Sequence, residues 1–426
     1  MTDGAARVCE LLGDDTLKKD VLPRLISRDP ELFWMSGQWM TERPGGSDVS
    51  ETETKALEDS EGWRVHGFKW FSSATDADMT MLLARTQDEK GEWKPTSLGL
   101  SLFWAPMRTD GVLNGIKVHR LKQKYGTKAV PTAELELQNM RAYRVGSAGR
   151  GVASIATILN ITRIHSAISG AAYLGRGLAM AKQYAATRLV HGKSLLDHAL
   201  HTRHLADLQV VHAACTALAF YAVSLLGKTE VPTSTLEQDV RMLRLTTPLA
   251  KLWISKKAVG ALSECMEAMG GQGYMEDVGL ARHLRDEQVN TIWEGTTNVL
   301  ALDVWRVFQK DKGVKRVLVE TVQNMVHGVS NELAECAWHC TGALQHILAF
   351  MEQQNKTAVV YNARGMAFAL AQVLAGALLV QQATKSSWPA ATALATRFCA
   401  TQEGLLGREF LERGRDARQG KPSTCD

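Results

Sequence analysis

The feature that most constrains this chain is a change of texture near residue 147. From about Trp39 to Val145, short runs rich in β-branched and aromatic residues alternate with Gly, Asp and Asn turns, whereas no proline occurs between Pro131 and Pro232 and alanine and leucine become frequent. The first texture is that of strands. Trp63–Phe71, Met79–Leu83, Leu100–Trp104 and Ala133–Leu137 are the candidate runs, and the last alternates polar and apolar with period two, as a half-buried strand does. The second texture suits long helices, since a proline in a helix interior lacks the N–H and clashes with the preceding turn. The chain therefore reads as α+β: a small β-barrel or sandwich middle domain, an α-helical bundle domain and an extra C-terminal helical region. The expected boundaries are 1–38, 39–147, 148–312 and 313–426. With 426 residues, 45% of them hydrophobic, the chain can bury two or three cores of ordinary size.

Local signals sharpen the helical part. Ser234 and Glu237 are spaced as a capping box. Thr247 precedes Pro248, and Gly270-Gly271 follow an apolar run, which predicts a helix from Pro248 to Met269 opening into a Gly-rich loop. The most apolar tract, Gly365 to Val380, is under twenty residues and contains Gln372, so it reads as a buried helix and no membrane partner is expected.

The net charge of +4 is a mild bias that points to neither nucleic acid nor membrane. From Asp311 to Asp426 there are 12 Lys/Arg against 10 Asp/Glu, whereas a DNA-binding face should be clearly basic. Seven scattered cysteines form no disulfide framework, as in a reducing compartment. Cys336 and Cys340 have helical spacing in an apolar stretch and read as packing thiols, so no metal is expected. Met1-Thr-Asp-Gly has no basic leader pattern, and the last residues are not a Ser-Lys-Leu address. The compartment stays open: intracellular, cytoplasmic or mitochondrial.

The chemistry concentrates in a few segments. Asn290–Asn298 places one carboxylate, Glu294, in an apolar flank, followed by Gly295 and the Thr296-Thr297-Asn298 cluster. That suits a general base at the edge of a cofactor; the alternatives are a helix N-terminal carboxylate or an ion pair with Arg285. Met40–Asp48 contains adjacent glycines that permit a tight turn with amides facing a phosphate, and Ser47 adds a hydroxyl. Lys69–Ser73 ends a strand and alone reads as a core aromatic pair. Arg163 reads equally as an ion-pair partner on a helix surface. Arg188 offers a guanidinium fork of the kind that matches phosphate oxygens.

Taken in order from Met40 to Arg306, these segments resemble the flavin-dependent acyl-CoA dehydrogenases. Thr41-Glu42-Arg43-Pro44-Gly45-Gly46-Ser47-Asp48 is similar to the family's Thr-Glu-Pro-x-x-Gly-Ser-Asp, with the proline one place later. Tyr125-Gly126-Thr127-Lys128 resembles the exit of the β domain, and Arg188-Leu-Val-His191-Gly192 resembles Arg-x-x-Phe-Gly with His in place of Phe. Leu302–Arg306 and the appended helical block resemble the AidB-like, alkylation-response branch. Relatives carry a helical domain before the β domain; here about 35 residues precede Thr41, and residues 1–38 read as its remnant.

The resemblance implies FAD as cofactor. Met40, Thr41, Gly46, Ser47, Trp70 and Ser72 would hold it from the β domain, with Trp70 against the isoalloxazine and Ser72 bonded to a flavin edge atom. Arg188, Gly270, Gly271, Thr296 and Asn298 would hold it from the helical part. In the family the Arg188 position serves a neighbouring subunit's FAD, so a homo-oligomer, a tetramer built as a dimer of dimers, is implied. Glu294 is implied as the base that takes the α-proton of an acyl-CoA thioester while the β-hydride passes to flavin N5; burial beside Trp293 is expected to raise its proton affinity. Some relatives carry the base on the earlier helix just before an Arg. Here Thr162 stands there, which leaves Glu294 as base and places Arg163 with the substrate. An electron-transfer flavoprotein is an implied acceptor. The branch also implies a second function, an alkylation-response flavoprotein associated with nucleic acid and with little dehydrogenase activity.

Overall fold

A computed structural model describes residues 1–231 and 236–412. The chain divides into two compact units, Met1–Thr162 and Arg163–Asp426, and the division falls within a single long helix. Ser234 of the capping pattern and Cys425 lie outside the described residues.

In the first unit a helix, α1 (Thr2–Leu12), precedes the seven strands of the main sheet: β1 (Ser36–Trp39), β2 (Lys55–Asp59), β3 (Gly62–Ser73), β4 (Met79–Arg85), β5 (Leu100–Pro106), β6 (Ile116–Leu121) and β7 (Thr132–Val145). The sheet runs β4-β2-β3-β7-β5 and closes on itself, because β5 pairs back along the whole of β4. Strand β1 joins β4 in parallel, and β6 lies antiparallel to β7. One side buries Trp39, Val65, Leu82, Phe103 and Leu135. The other buries Met79, Met81, Leu83 and Leu102 with Val8 and Cys9 of α1. Strand β4 is therefore buried at every position.

The four strands expected from the sequence are present. The period-two alternation of Ala133–Leu137 does not face water as expected. Glu134 is buried because Arg120 of β6 and Lys122 just after it bond its carboxylate at 2.7 and 2.6 Å. Strands β2 and β6 were not expected; each has one buried residue among charged ones, too weak a pattern to read as a strand.

The second unit is helical. It comprises α2 (Gly151–Thr187) beyond the division, α3 (Ala199–Glu230), α4 (Glu237–Ala268), α5 (Leu280–Asn290), α6 (Thr297–Lys310), α7 (Val314–Met325), α8 (Ala334–Gln353), α9 (Ala363–Lys385) and α10 (Pro389–Phe398). One core runs through it from Ile164 to Phe410 and includes Leu218, Trp253, Leu300, Leu344 and Leu370. Helix α9 is continuously buried from Ala369 to Val380, which fits the reading of that tract as a core helix. Gln372 on α9 accepts from Trp253 Nε1 at 3.4 Å and donates to the carbonyls of Gly404 and Leu405 at 2.9 Å. The six described cysteines are buried thiols, with Cys340 and Cys399 sulfurs 3.8 Å apart.

Helix α4 corrects one expectation. It starts at Glu237, not Pro248, and Pro248 lies inside it. Thr247 does not cap; its hydroxyl donates to the Leu243 carbonyl at 2.8 Å. Proline removes one backbone bond, but the upstream turns bury Met242 and Leu245 in the core, and that packing outweighs the local break. The helix ends at Ala268, next to the glycines, as expected.

Candidate active site

In the first unit, adjacent residues tie the candidate flavin wall together. Trp70 N–H donates to the Thr41 carbonyl at 3.0 Å. One residue along on each side, the fully buried Lys69 Nζ meets Glu42 Oε1 at 2.6 Å and also donates to the Leu83 carbonyl at 2.9 Å. Glu42 further accepts the Glu53 amide at 2.7 Å. Burial alone would raise the proton affinity of Glu42; the Lys69 ammonium and the backbone donors more than offset it and hold the carboxyl below its ordinary value. Above this pair the loop turns tightly. A Cβ on Gly45 would stand 2.3 Å from the Asp48 carbonyl, so glycine is required there. Met40 is buried, Thr41 half-buried, and Gly46 and Ser47 are exposed. Trp70 is half-buried, with Lys122 Nζ 3.4 Å and the Arg43 guanidinium 5.2 Å from its ring centre. The buried Ser72 hydroxyl has no hydrogen-bond partner among the described residues. An orphaned buried hydroxyl costs about 1–3 kcal/mol. Such an atom, two residues from Trp70 on β3, fits the edge of a polar heteroaromatic ring.

In the second unit the Gly-rich loop follows α4. Gly270 has φ +59°, and space is open around a Cβ at Gly270 or Gly271. Gly273 is the sterically obligatory glycine of the loop, since a Cβ there would lie 2.1 Å from the Met266 carbonyl. Arg188 is exposed, just before a hairpin whose two-residue turn is His191 (φ +51°) and Gly192 (φ +76°).

Between α5 and α6 the chain makes a left-handed turn at two successive residues, Glu294 (φ +58°) and Gly295 (φ +101°). Few non-glycine residues adopt such a conformation. Both carbonyls are held: Arg163 Nε donates to Glu294 O at 3.1 Å, and Lys251 Nζ donates to Gly295 O at 2.6 Å. Arg163 also meets Asp303 at 3.2 Å, and Asp303 is bound by Arg244 at 2.5 and 3.1 Å. Arg163, expected beside the substrate, thus has its guanidinium against the Glu294–Gly295 turn and α6.

Around the turn, Trp293 is 39% exposed and Glu294 half-buried, with its Oε2 atom shielded from solvent. The Trp293 indole N–H is drawn to Asn290 Oδ1 at 2.7 Å, and Asn290 Nδ2 donates to Glu287 at 2.7 Å. Glu287 is fully buried, and that burial pushes its carboxyl up to about 8 against the opposing Asn290 bond. Burial pulls Lys251 down to about 7, with the Glu294 charge opposing. Arg285 is committed to Glu276 through bonds of 2.7 and 2.9 Å. Thr296 is the N-cap residue of α6, and Asn298 Oδ1 accepts from Arg364 of α9 at 3.0 Å.

Comparison with known proteins assigns this arrangement to a family. The crystal structure of Caenorhabditis elegans ACDH-11 in complex with C11-CoA superposes with a TM-score of 0.91 at 40% identity, covering 98% of this chain and 74% of that one. The chain belongs to the acyl-CoA dehydrogenase family. Residues 37–140 match the acyl-CoA dehydrogenase middle domain, 149–308 the acyl-CoA dehydrogenase C-terminal domain, and 314–410 the acyl-CoA dehydrogenase 11 C-terminal domain-like family. Acyl-CoA dehydrogenase family member 11 of C. elegans is 43% identical over 402 residues, which cover 91% of this chain and 65% of that protein. AidB of Escherichia coli is 34% identical over 287 residues, covering 67% and 50% respectively. The chain thus spans two thirds or less of the length of these curated relatives. The appended helical block, expected to mark the AidB-like branch, matches the member 11 type instead, and the likeness to AidB is the lower of the two. The α+β architecture of this family member is the one expected.

Four residues of the site were not picked out in the sequence: Lys251, Glu287, Arg244 and Asp303. Lys251 had a readable signal, as the lone charge in the apolar run Pro248–Ile254. Glu287 had none, since one carboxylate among the charged residues of α5 reads as a solvated face.

Proposed function

We propose that this acyl-CoA dehydrogenase family member oxidises an acyl-CoA thioester, with Glu294 as the base for the α-proton. The observation that carries the reading is the left-handed Glu294–Gly295 turn, whose carbonyls are both bound by cations. Strained backbone of this kind persists where surrounding structure over-determines it, and it clusters at functional sites. An α-proton next to a thioester is weakly acidic, and its removal requires a fixed carboxylate. The C11-CoA complex of the related ACDH-11 supports an acyl-CoA ligand.

The residues of each unit fit FAD. Met40, Thr41, Gly46, Ser47, Trp70 and Ser72 would hold it from the first unit, where the orphaned Ser72 hydroxyl offers a donor. Gly270, Gly271, Thr296 and Asn298 would hold it from the second, with Arg188 reaching a neighbouring copy in a homotetramer. Bound FAD supplies the two-electron oxidant that a saturated thioester requires, and an electron-transfer flavoprotein is the proposed acceptor. Trp70 orients the ring, the amides near Gly46 and Ser47 meet phosphate, and Glu294 holds the abstracted proton. The segments 1–38, 39–147, 148–312 and 313–426 are the proposed division of labour.

The test is a visible spectrum of the purified protein during titration with acyl-CoAs of increasing length. Flavin that bleaches supports the reading, and a colourless protein rejects FAD. The second reading, a nucleic-acid-associated flavoprotein with little dehydrogenase activity, is the one that the resemblance to the AidB-like branch implies. Flavin that never bleaches would favour it, although the charge balance after Asp311 weighs against it. Light scattering tests the oligomer: a stable monomer with stoichiometric FAD would reject the role of Arg188.

A further inference from the structure

The turn that carries Glu294 depends on a lysine whose position is unusual. Lysine side chains ordinarily let the ammonium reach water along an apolar stem. Lys251 is 1% exposed, in the middle of α4, and its hydrogen bond among the described residues goes to Gly295 O at 2.6 Å. That carbonyl belongs to the second of the two left-handed residues, so the bond acts on the backbone that aims the Glu294 carboxylate.

The charges around this point are unequal. From α2, Arg163 shares its charge with Asp303 of α6, which Arg244 of α4 also binds. From α5, burial pushes the Glu287 carboxyl up to about 8, toward its neutral form, and its Oε1 atom has no partner among the described residues. Oε1 faces Gly170, where a Cβ would stand 2.9 Å away. Two carboxyls, Glu294 and Glu287, are thus within electrostatic reach of Lys251, and Glu294, the stronger influence, sits on the turn that Lys251 holds.

We propose that Lys251 is a positioning residue for the base: its amino group holds the Gly295 carbonyl, which fixes the left-handed turn, and its protonated form favours the ionised form of Glu294. The inference rests on Glu294 being the base. The two effects separate by variant. Lys251→Met removes the donor and the charge at similar volume; Lys251→Gln removes the charge and offers an N–H donor on a side chain one bond shorter.

The experiment compares wild type, Glu294→Gln, Lys251→Met and Lys251→Gln as purified holoproteins. It measures kcat and KM for an acyl-CoA from pH 6 to 9, and amide hydrogen exchange across Asn290–Asn298. Lys251→Met is expected to lower kcat roughly 10- to 100-fold with KM changed less than about threefold, because a misplaced base acts on the chemical step. Exchange across the segment should rise. The acid limb of the kcat profile should move to higher pH, since loss of a nearby cation raises a carboxyl's proton affinity. Lys251→Gln should restore slow exchange and keep the shifted limb.

A wild-type limb and exchange in Lys251→Met, beside an inactive Glu294→Gln, would overturn the proposal. So would a lowered melting temperature with no change in the limb, which is what a merely structural lysine gives. If Lys251→Met does not fold, Lys251→Gln decides: an unshifted limb rejects the electrostatic role. If Glu294→Gln turns over like wild type, the base assignment itself fails, whatever Lys251 does. If no acyl-CoA is oxidised, exchange remains the readout, and an unchanged segment in Lys251→Met rejects the positioning role.

Discussion

Among the described residues two lysines, Lys69 and Lys251, are buried, and their surroundings differ. In the β unit, Lys69 faces Glu42 at 2.6 Å and the Leu83 carbonyl at 2.9 Å, and Glu42 is also bonded to the Glu53 amide. In the helical unit, Lys251 holds one carbonyl and has no carboxylate at ion-pair distance among the described residues. The first is a closed pair whose charges cancel locally and whose effect is to fasten a loop to a strand. The second leaves a charge poised behind a turn that carries a carboxylate. The pairing, more than the depth of burial, separates a structural lysine from one suited to chemistry.

The largest expected effect tests the closed pair. Lys69→Met leaves Glu42 buried without its cation, and removing one partner of a buried pair costs about 3–5 kcal/mol. Chemical denaturation should report that loss, and the double variant with Glu42→Gln should recover part of it. A loss no greater than that of an exposed lysine would erase the contrast.

Next is Glu294→Gln, expected to reduce acyl-CoA oxidation at least about a hundredfold, the scale of losing a general base. Flavin should stay bound, because its proposed contacts lie at other residues. Oxidation at the wild-type rate would show that Lys251 stands behind nothing catalytic.

Gly273→Ala should destabilise the helical unit by about 1–3 kcal/mol, the range for an added atom in packed structure, because its Cβ meets the Met266 carbonyl at 2.1 Å. Gly271→Val has open space and should leave stability nearly unchanged while lowering flavin content. A Gly271→Val protein that purifies fully yellow would remove that loop from the FAD site.

The smallest effect is on pH dependence. Glu287 is raised from 4.5 to about 8 in the folded chain. The folded state then binds one more proton than the unfolded state between those values, so this group makes stability fall as pH rises from about 4.5 to 8. Glu287→Gln should flatten that fall in denaturation curves at pH 5, 7 and 8. An identical slope in the variant would mean that Glu287 is ionised in the fold.

Much of this was legible in the residues. Strands β3, β4, β5 and β7 stood out because their apolar runs are long or alternate, and each buries several residues. Glu294 stood out because it is one carboxylate followed at once by glycine, and the structure puts the pair in a left-handed turn. Strand β6 was hidden because Arg120 within it and Lys122 just after it face Glu134, so their charges look like surface. The start of α4 was hidden because Thr-Pro means the same thing locally at a helix start and inside a packed helix. Lys251 and Glu287 escaped because helix periodicity gives a face but does not say that a charge on it is enclosed. Arg163 was found, but the partners that turn it toward Glu294 O and Asp303 are 131 and 140 residues away.

The single core of the helical unit bears on how it comes apart. Residues 149–308 and 314–410 match two separate families, yet Leu300, Leu344 and Leu370 lie in one continuous cluster. Gln372 pins Trp253 of α4 to the backbone at Gly404 and Leu405, and Arg364 of α9 holds Asn298 at the start of α6. Segments that share a core and cross-links of this kind melt together. A single proteolytic nick between Lys310 and Val314 should therefore leave two fragments that remain associated and denature in one transition. Loosening the far C-terminal helices would be felt at the Glu294 turn as a loss of cooperativity before any contact at the turn itself is removed.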